Sequence, residues 1–376
     1  MGYRKHRVCF PFIGDSVGGS HISALLLIEG LRQNNVEVVV VLHVSGPLES
    51  ELKRRGIPWV WAPKGCEVGK GRSLSSVIEV LSATKRLTRF VRNHAFDVVH
   101  TNDGRIHKTW GLAARLAGAA FVLHYRIATW SFGLVVYSQL ATKVIMISEY
   151  CKRSLPVLMR RRSSIVENPF DFGMVTRIDK SVARHELQSQ IGAGEKSLMI
   201  GFVGNFIHQK RASLFLEVAN EVRRRISEDV WFPMFGDPRE LRGDIERRIR
   251  ELGMEDRIHL MGTRFPIEPV LAGLDVYVAP AVREGFGRTL VEAMGVGVPV
   301  IAADDGGHRE IIREGVTGYL VRRDNKESFA DRVVDIVNDR ERTFRMSEAA
   351  FSEVRGRFSV QRHVEGVVGI YNSLVS

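Results

Sequence analysis

The sequence predicts an α/β architecture of two Rossmann-like halves in tandem, and three observations carry that prediction. At 376 residues the chain is too long for one ordinary core and suggests two domains. Near its start an apolar run, a glycine-bearing loop, an amphipathic helix and a second apolar run follow at βαβ spacing, which implies a parallel sheet with right-handed connections. From Leu198 the same alternation begins again. With 44% hydrophobic and 26% charged residues the composition is that of a soluble globular protein.

In the first half, residues 8–12 read as a buried strand, GDSVGGSHISALLLIEGL as a glycine loop opening a helix, and 36–42 as the next strand. Further strands are expected at 59–61, 97–100, 120–123, 143–147 and 164–166. His100, His124 and Ser148 close three of them, at the carboxyl ends where open α/β sheets place ligands, although a histidine there is more often structural. Gly14, Gly18 and Gly19 do not form the GxGxxG fingerprint, and no P-loop lysine motif is present, which disfavours a nicotinamide enzyme. The basic lead-in MGYRKH precedes an apolar run too short for a signal-peptide core, and His6 stands where a myristoylation pattern wants Ser or Thr. Apolar stretches are broken by Glu29 or Lys143 well short of the roughly 18 residues a spanning helix needs. Cys9, Cys66 and Cys151 show no metal or redox spacing and fit a reducing cytoplasm.

Charge is uneven. Residues 1–170 hold 24 Lys and Arg against 11 Asp and Glu, and residues 171–376 hold 30 against 32, so the net +11 belongs to the first half. Such a half suits an anionic partner: a phospholipid surface, a lipid-linked phosphate or nucleic acid. Lys85, Arg86, Arg89 and Arg92 gather on one face of a predicted helix whose apolar material is Leu81, Leu87, Phe90 and Val91, and Lys152, Arg153 and Arg160 to Arg162 form a second cluster. A solvated charged face competes with a membrane-leaning one.

The organisation expected is residues 1–170 as first domain, 171–197 as linker, 198–357 as second domain and 358–376 as a final helix. Second-domain strands are expected at 198–203, 231–235, 258–260, 276–279, 300–302 and 319–321. The central stretch is VYVAPAVREGFGRTLVEAMGVG, residues 276–297: a buried strand, a loop in which Gly285 and Gly287 bracket Phe286, then a helix. Thr289 reads as its N-cap with Glu292 at capping-box spacing, and a loop feeding a helix N-terminus suits a phosphate. Glu292 is then a plain capping residue or a ligand carboxylate, and Glu284 a solvated loop carboxylate or its partner. Asp304 and Asp305, adjacent and followed by Gly306 and Gly307, read as a turn rather than a metal motif.

GFVGNFIHQKR, EGFGRTLVEAMGVGVPVIAADDGGHREII and GVTGYLV stand in order between Gly201 and Val321, and GGSHISALLLIEGL, the strand ending at His124, VIMISEY and NPFD precede them. In these the chain resembles the family-four retaining glycosyltransferases of the GT-B fold. The resemblance implies parallel sheets facing a central cleft, a C-terminal helix crossing back to the first domain, and a nucleotide sugar held mostly by the second. It implies that Glu292 accepts from the ribose hydroxyls, that Glu284 holds a donor-sugar hydroxyl, and that backbone around Gly285, Phe286, Gly287, Thr289 and Leu290 faces the sugar and diphosphate. Lys210, with Arg211, would neutralise the leaving diphosphate beside Gly204 and Asn205, and Arg264 and Phe265 lie where the base would dock. Gly18 and Gly19 would close over the diphosphate, with His124 beside the reacting sugar and His100 and Asn102 on the acceptor side. Two departures stand out: relatives often carry an arginine near Asn205, and an aspartate where Tyr125 and Arg126 follow His124.

The expected activity is a retaining, metal-independent transfer of a hexose from a UDP or GDP sugar, without a cofactor, to a glycolipid, lipid-linked saccharide or polysaccharide. The setting expected is the cytoplasmic face of an anionic membrane, with no nucleic acid. The other readings are a sugar-nucleotide epimerase of the same fold, or a basic nucleic-acid- or membrane-binding module with a vestigial cleft.

Overall fold

The computed structural model describes residues 6–34, 36–66, 74–128, 130–173 and 178–375. Residues 1–5, the basic lead-in, and part of the expected linker lie outside them. The chain divides into two compact units, one made of the residues up to Phe170 together with those from Val360 on, the other of Asp171–Ser359.

The first unit runs β1 (Arg7–Phe12), α1 (Gly19–Gln33), β2 (Glu37–Leu42), α2 (Pro47–Arg54), β3 (Trp59–Trp61), α3 (Leu74–Asn93), β4 (Val98–Thr101), α4 (His107–Ala117), β5 (Ala120–Tyr125), α5 (Phe132–Leu140), β6 (Lys143–Met146), α6 (Glu149–Lys152), α7 (Val157–Arg160) and β7 (Ser163–Ile165). All seven strands are parallel, in the order β3-β2-β1-β4-β5-β6-β7. The central strands β1, β4 and β5 are buried on both faces, which is why they read as unbroken apolar runs. Phe10, Phe12, Leu27, Val98 and Val122 form the core, each contributing roughly 1.5–3 kcal/mol by burial. Ser148, a strand-end polar residue in the sequence, caps α6 by accepting from Cys151 N at 3.0 Å.

The second unit runs α8 (Lys180–Ile191), β8 (Leu198–Val203), a 3-10 turn (His208–Lys210), α9 (Ala212–Arg225), β9 (Val230–Phe235), α10 (Arg242–Glu251), β10 (Ile258–Gly262), α11 (Glu268–Ala272), β11 (Val276–Ala279), α12 (Arg288–Gly295), β12 (Val300–Ala303), α13 (His308–Ile311), β13 (Tyr319–Val321), α14 (Lys326–Asn338) and α15 (Arg340–Arg357). Its six strands are parallel in the order β10-β9-β8-β11-β12-β13. In the segment read as linker, Asp179 caps α8, and Arg184 ties it to Asp275 at 2.8 Å, so this helix belongs to the second unit's body.

After Arg357 the chain turns at Phe358 and enters α16 (Val360–Val375), which belongs to the first unit and lies on α1. Gly30 makes that approach possible, since a Cβ there would come within 2.4 Å of Val364. Among the described residues no helix is long and apolar enough to cross a membrane.

One sequence expectation fails on α3. Leu87 and Val91 are buried and Lys85, Arg86, Arg89 and Arg92 exposed, but Leu81 is exposed as well. It continues the stripe Thr84, Thr88, Val91 at helical spacing, but lies beyond the buried part of that stripe.

Candidate functional site

In the second sheet the strand order reverses between β8 and β11, and the loops leaving these two strands carry the candidate donor residues. The loop after β11 is clamped through its backbone. Arg283, at φ 55°, donates its N–H to Asp305 Oδ1 at 2.6 Å, and Glu284 O accepts from Gly307 N at 2.8 Å. A Cβ at Gly306 would lie 2.6 Å from Glu284 O, and one at Gly307 2.7 Å from Phe286 Cα, so the glycine pair lets the two loops touch. The Phe286 ring is buried edge-on against Phe358.

The loop after β8 brings Lys210 to this point. Its Nζ lies 2.8 Å from Glu284 Oε1, and Gln209 binds the carbonyl of Arg283 at 3.0 Å. Gly204 leaves space for the lysine stem, which a Cβ there would meet at 3.3 Å. Asn205 accepts from Asp237 N at 3.2 Å and shapes the loop. Arg211 does not join Lys210: its guanidinium binds the carbonyl of Arg323 and, at 2.7 Å, Asp324. Arg264 and Phe265 follow β10 at the edge of the sheet, apart from this pocket, with the phenyl ring exposed.

Thr289 does not cap α12. The helix starts at Arg288 with Gly287 as N-cap at φ 104°, so Thr289 lies inside the first turn, and no side chain occupies the cap. A left-handed glycine takes over the chain reversal that a threonine cap would provide, and it brings no side chain to the cap position. Glu292 is free of the capping role and meets Arg288 at 3.2 Å. Burial raises its carboxyl above the usual range, against the pull of Arg288. Lys210, Glu284, Gly287, Thr289, Leu290 and His308 line one pocket with Tyr277 behind them. His308 donates from Nδ1 to Ala303 O at 3.1 Å, and burial keeps its ring neutral. Asp304 and Asp305 are taken up by Arg309, by Arg323 and by the N–H of Arg283, in keeping with a turn. His308 and the clamp by Gly306 and Gly307 were missed in the sequence, where DDGGH signalled only a turn.

In the first unit His100 and His124 stand one residue from the ends of the adjacent strands β4 and β5. His100 Nδ1 pairs with Tyr371 Oη on α16 at 2.5 Å, and His100 Nε2 with His124 Nδ1 at 3.2 Å. Arg126 Nη2 also faces His124 Nδ1, at 3.4 Å, and reaches Asn102 Oδ1 at 3.2 Å, while Nη1 binds Asn168. A guanidinium only donates, so His124 Nδ1 is an acceptor. Burial, reinforced by Arg126, pushes both imidazoles well below their ordinary pKa, so each is neutral and carries one proton. Tyr371 therefore donates to His100, His100 donates to His124, and His124 carries its proton on Nε2, a buried atom with no partner among the described residues.

At Gly18 neither conformation nor packing demands glycine: its backbone is extended, and a Cβ would meet nothing within 4 Å. It is the N-cap of α1 and Gly19 the first helical residue.

Residues 183–353 match the family described as Glycosyl transferases group 1, and residues 18–159 that described as Glycosyl transferase 4-like domain. The chain is 23% identical over 367 residues to the UDP-Gal:alpha-D-GlcNAc-diphosphoundecaprenol alpha-1,3-galactosyltransferase of Escherichia coli, covering 92% of each chain. It is 26% identical over 197 residues to the lipopolysaccharide core biosynthesis mannosyltransferase LpsB of Rhizobium meliloti, about half of either chain. Among solved structures, Anabaena HepE in complex with UDP and glucose superposes with a TM-score of 0.80 at 21% identity, over 97% of this chain and 99% of that one. A glycosyltransferase of Rickettsia africae reaches 0.85 at 17% identity over 100% of both.

Proposed function

The chain belongs to the group 1 glycosyltransferases of the GT-B fold, and on that premise we propose that it moves a hexose from a nucleotide sugar to a glycan or lipid-linked acceptor. In this reading the anomeric configuration is retained and neither a metal nor a cofactor takes part. The observation that carries it is the Lys210–Glu284 pair at 2.8 Å, in one pocket with Thr289 and Leu290 of the first turn of α12.

Breaking the bond from the anomeric carbon to phosphate leaves negative charge on the diphosphate and an oxocarbenium-like sugar. A fixed ammonium and a helix N-terminus stabilise that departing charge. When the diphosphate takes Lys210 Nζ, Glu284 is left to accept from a sugar hydroxyl. Glu292, held by Arg288, faces the ribose in this reading, His124 sits beside the reacting sugar, and His100 and Asn102 serve the acceptor side. Retaining glycosidases need two carboxylates about 5–5.5 Å apart across the scissile bond. Here Glu284 lies on the loop, paired with a lysine, and Glu292 lies inside the helix, an arrangement for gripping. The E. coli relative, named for a UDP-Gal donor and a diphosphoundecaprenol acceptor, and HepE, solved with UDP, make a uridine diphosphate sugar the first donor to try, before GDP sugars.

The test is a thermal-shift screen against UDP, GDP, TDP and ADP sugars, followed by turnover of the donor that stabilises. One nucleotide should raise the melting temperature of the wild type, and Lys210→Ala and Glu284→Ala should abolish turnover in folded protein. Full activity in both variants removes the assigned roles.

A further inference from the structure

In a parallel sheet each helix that follows a strand starts near the carboxyl edge and returns to the amino edge. In the first unit α4 lies beside both α3 and α5, so the first turns of these three helices and the loop after β5 share one edge. That edge carries large apolar side chains in solvent. Ile78 and Leu81, in the first two turns of α3, are 68% and 63% exposed, and Leu81 continues a stripe that is buried farther along at Thr84, Thr88 and Val91. Beyond β5, Ile127 is 54%, Trp130 64% and Phe132 74% exposed. The two aromatic rings are not on a loose loop: Ser131 between them caps α5, its Oγ accepting from Leu134 N at 3.1 Å.

We propose that this edge docks on an anionic phospholipid bilayer, with Ile78, Leu81, Ile127, Trp130 and Phe132 entering the interface and Lys85, Arg89 and Lys108 meeting the headgroups. Charge complementarity selects that occupant. Lys85 and Arg89 are exposed about one and two turns beyond Leu81 on α3 and Lys108 in the first turn of α4, against Glu79 as the exposed acid of the same stretch of α3. Aromatic rings flanked by cations are the composition of a membrane-interface anchor, where tryptophan sits at headgroup level and basic residues add attraction to anionic lipid. A phosphate-reading nucleic-acid surface has no use for an apolar stripe of this kind. His100, one residue from the end of β4, and Asn102, just beyond it, stand at the same edge, so the docked unit presents its acceptor-side groups toward the bilayer. That last step rests on the lipid-linked acceptor reading, whereas the docking itself is measured without any acceptor.

The experiment is flotation of the full chain with vesicles of phosphatidylglycerol and phosphatidylethanolamine, and with phosphatidylcholine vesicles. Wild type should float with the anionic vesicles only. Trp130→Ser with Phe132→Ser should cut the bound fraction at least tenfold, and Lys85→Gln with Arg89→Gln should weaken binding and flatten its salt dependence. Each variant should keep the wild-type thermal shift with UDP, which shows that it is folded. Leu81→Ser probes the other end of the surface should the aromatic pair not fold, and quenching of wild-type emission by brominated lipid, absent in Trp130→Phe, reports insertion directly. Undiminished flotation of the double aromatic variant overturns the proposal, as does a dimer or an oligonucleotide complex in place of vesicle binding. A wild type that is stabilised by UDP yet ignores vesicles removes the surface and leaves the donor site standing.

Discussion

Tyr371, on the last helix, and His100, one residue from the end of β4, share a hydrogen bond of 2.5 Å that reaches His124 through a second bond of 3.2 Å. Because Arg126 can only donate to His124 Nδ1, this line has one direction and leaves the His124 proton on Nε2. Nitrogen-15 spectra of histidine-labelled protein at neutral pH should show His124 as the neutral Nε2–H tautomer, assigned by its loss in His124→Gln. Tyr371→Phe leaves His100 Nδ1 buried without its donor and should cost about 1–3 kcal/mol of stability. Adding Arg126→Met removes the other directing donor, and both His124 tautomers should then be populated. An Nδ1–H tautomer in the wild type contradicts the direction.

The Lys210–Glu284 pair predicts a separation of activity from stability. Both side chains keep partial solvent contact, so breaking the pair should change stability by less than about 1 kcal/mol. In the proposed reaction the ammonium meets charge that develops as the diphosphate leaves, so Lys210→Met should lower kcat by about 10²-fold or more. Calorimetry beside donor-hydrolysis kinetics checks this, and a kcat loss matched by gross unfolding would contradict it.

How far the site was legible in the sequence follows from which of its parts leave a local signal. The strands around it were readable because parallel strands buried on both faces are continuous apolar runs, as in Leu198–Val203 and Val276–Ala279. Lys210 and Glu284 came through resemblance, their separation of 74 positions giving no local hint of a 2.8 Å contact. Thr289 misled because a threonine three residues before a glutamate looks like a capping box, whereas Gly287 makes the reversal two positions earlier. Leu81 misled because periodicity marks a stripe without marking where its cover ends. The line from Tyr371 to His124 joins residues 247 positions apart, and only the return of α16 to the first unit brings them together.

Gly307 tests the clamp on the Glu284 loop. Its φ of −68° suits any residue, so Gly307→Ala introduces no backbone strain and only a methyl group 2.7 Å from Phe286 Cα. The loop must move, at roughly 1–3 kcal/mol by analogy with overpacked interiors. Displacing Glu284 should weaken the thermal shift with the donor nucleotide sugar more than that with the nucleoside diphosphate alone, because the sugar contact is the one that shifts. Equal weakening of both ligands would place the damage at the diphosphate instead.

Burial in the first unit also sets an acid limit. His43 and His107 are held down to about 4 and His363 to about 3, each chiefly by burial, from an ordinary value of 6.5. Between those folded values and 6.5 the unfolded chain binds protons that the folded unit refuses, so stability rises with pH across the window. The contribution is complete above about pH 6.5 and is lost as pH falls toward 4 and then 3. Asp15, held near 2 by its hydrogen bond with Arg105, is depressed in the carboxylate sense, and its contribution disappears only below its ordinary 3.8. Four of the five tryptophans, Trp59, Trp61, Trp110 and Trp130, lie in the first unit, so urea unfolding followed by tryptophan emission reports mainly on it. The midpoint should fall steadily from pH 7 to 4.5. In His43→Gln the amide oxygen can still accept from Trp110 Nε1, as the imidazole does at 2.8 Å, and the pH slope should shrink by about one proton. A flat profile across that range would mean that these histidines can take up protons while the unit stays folded.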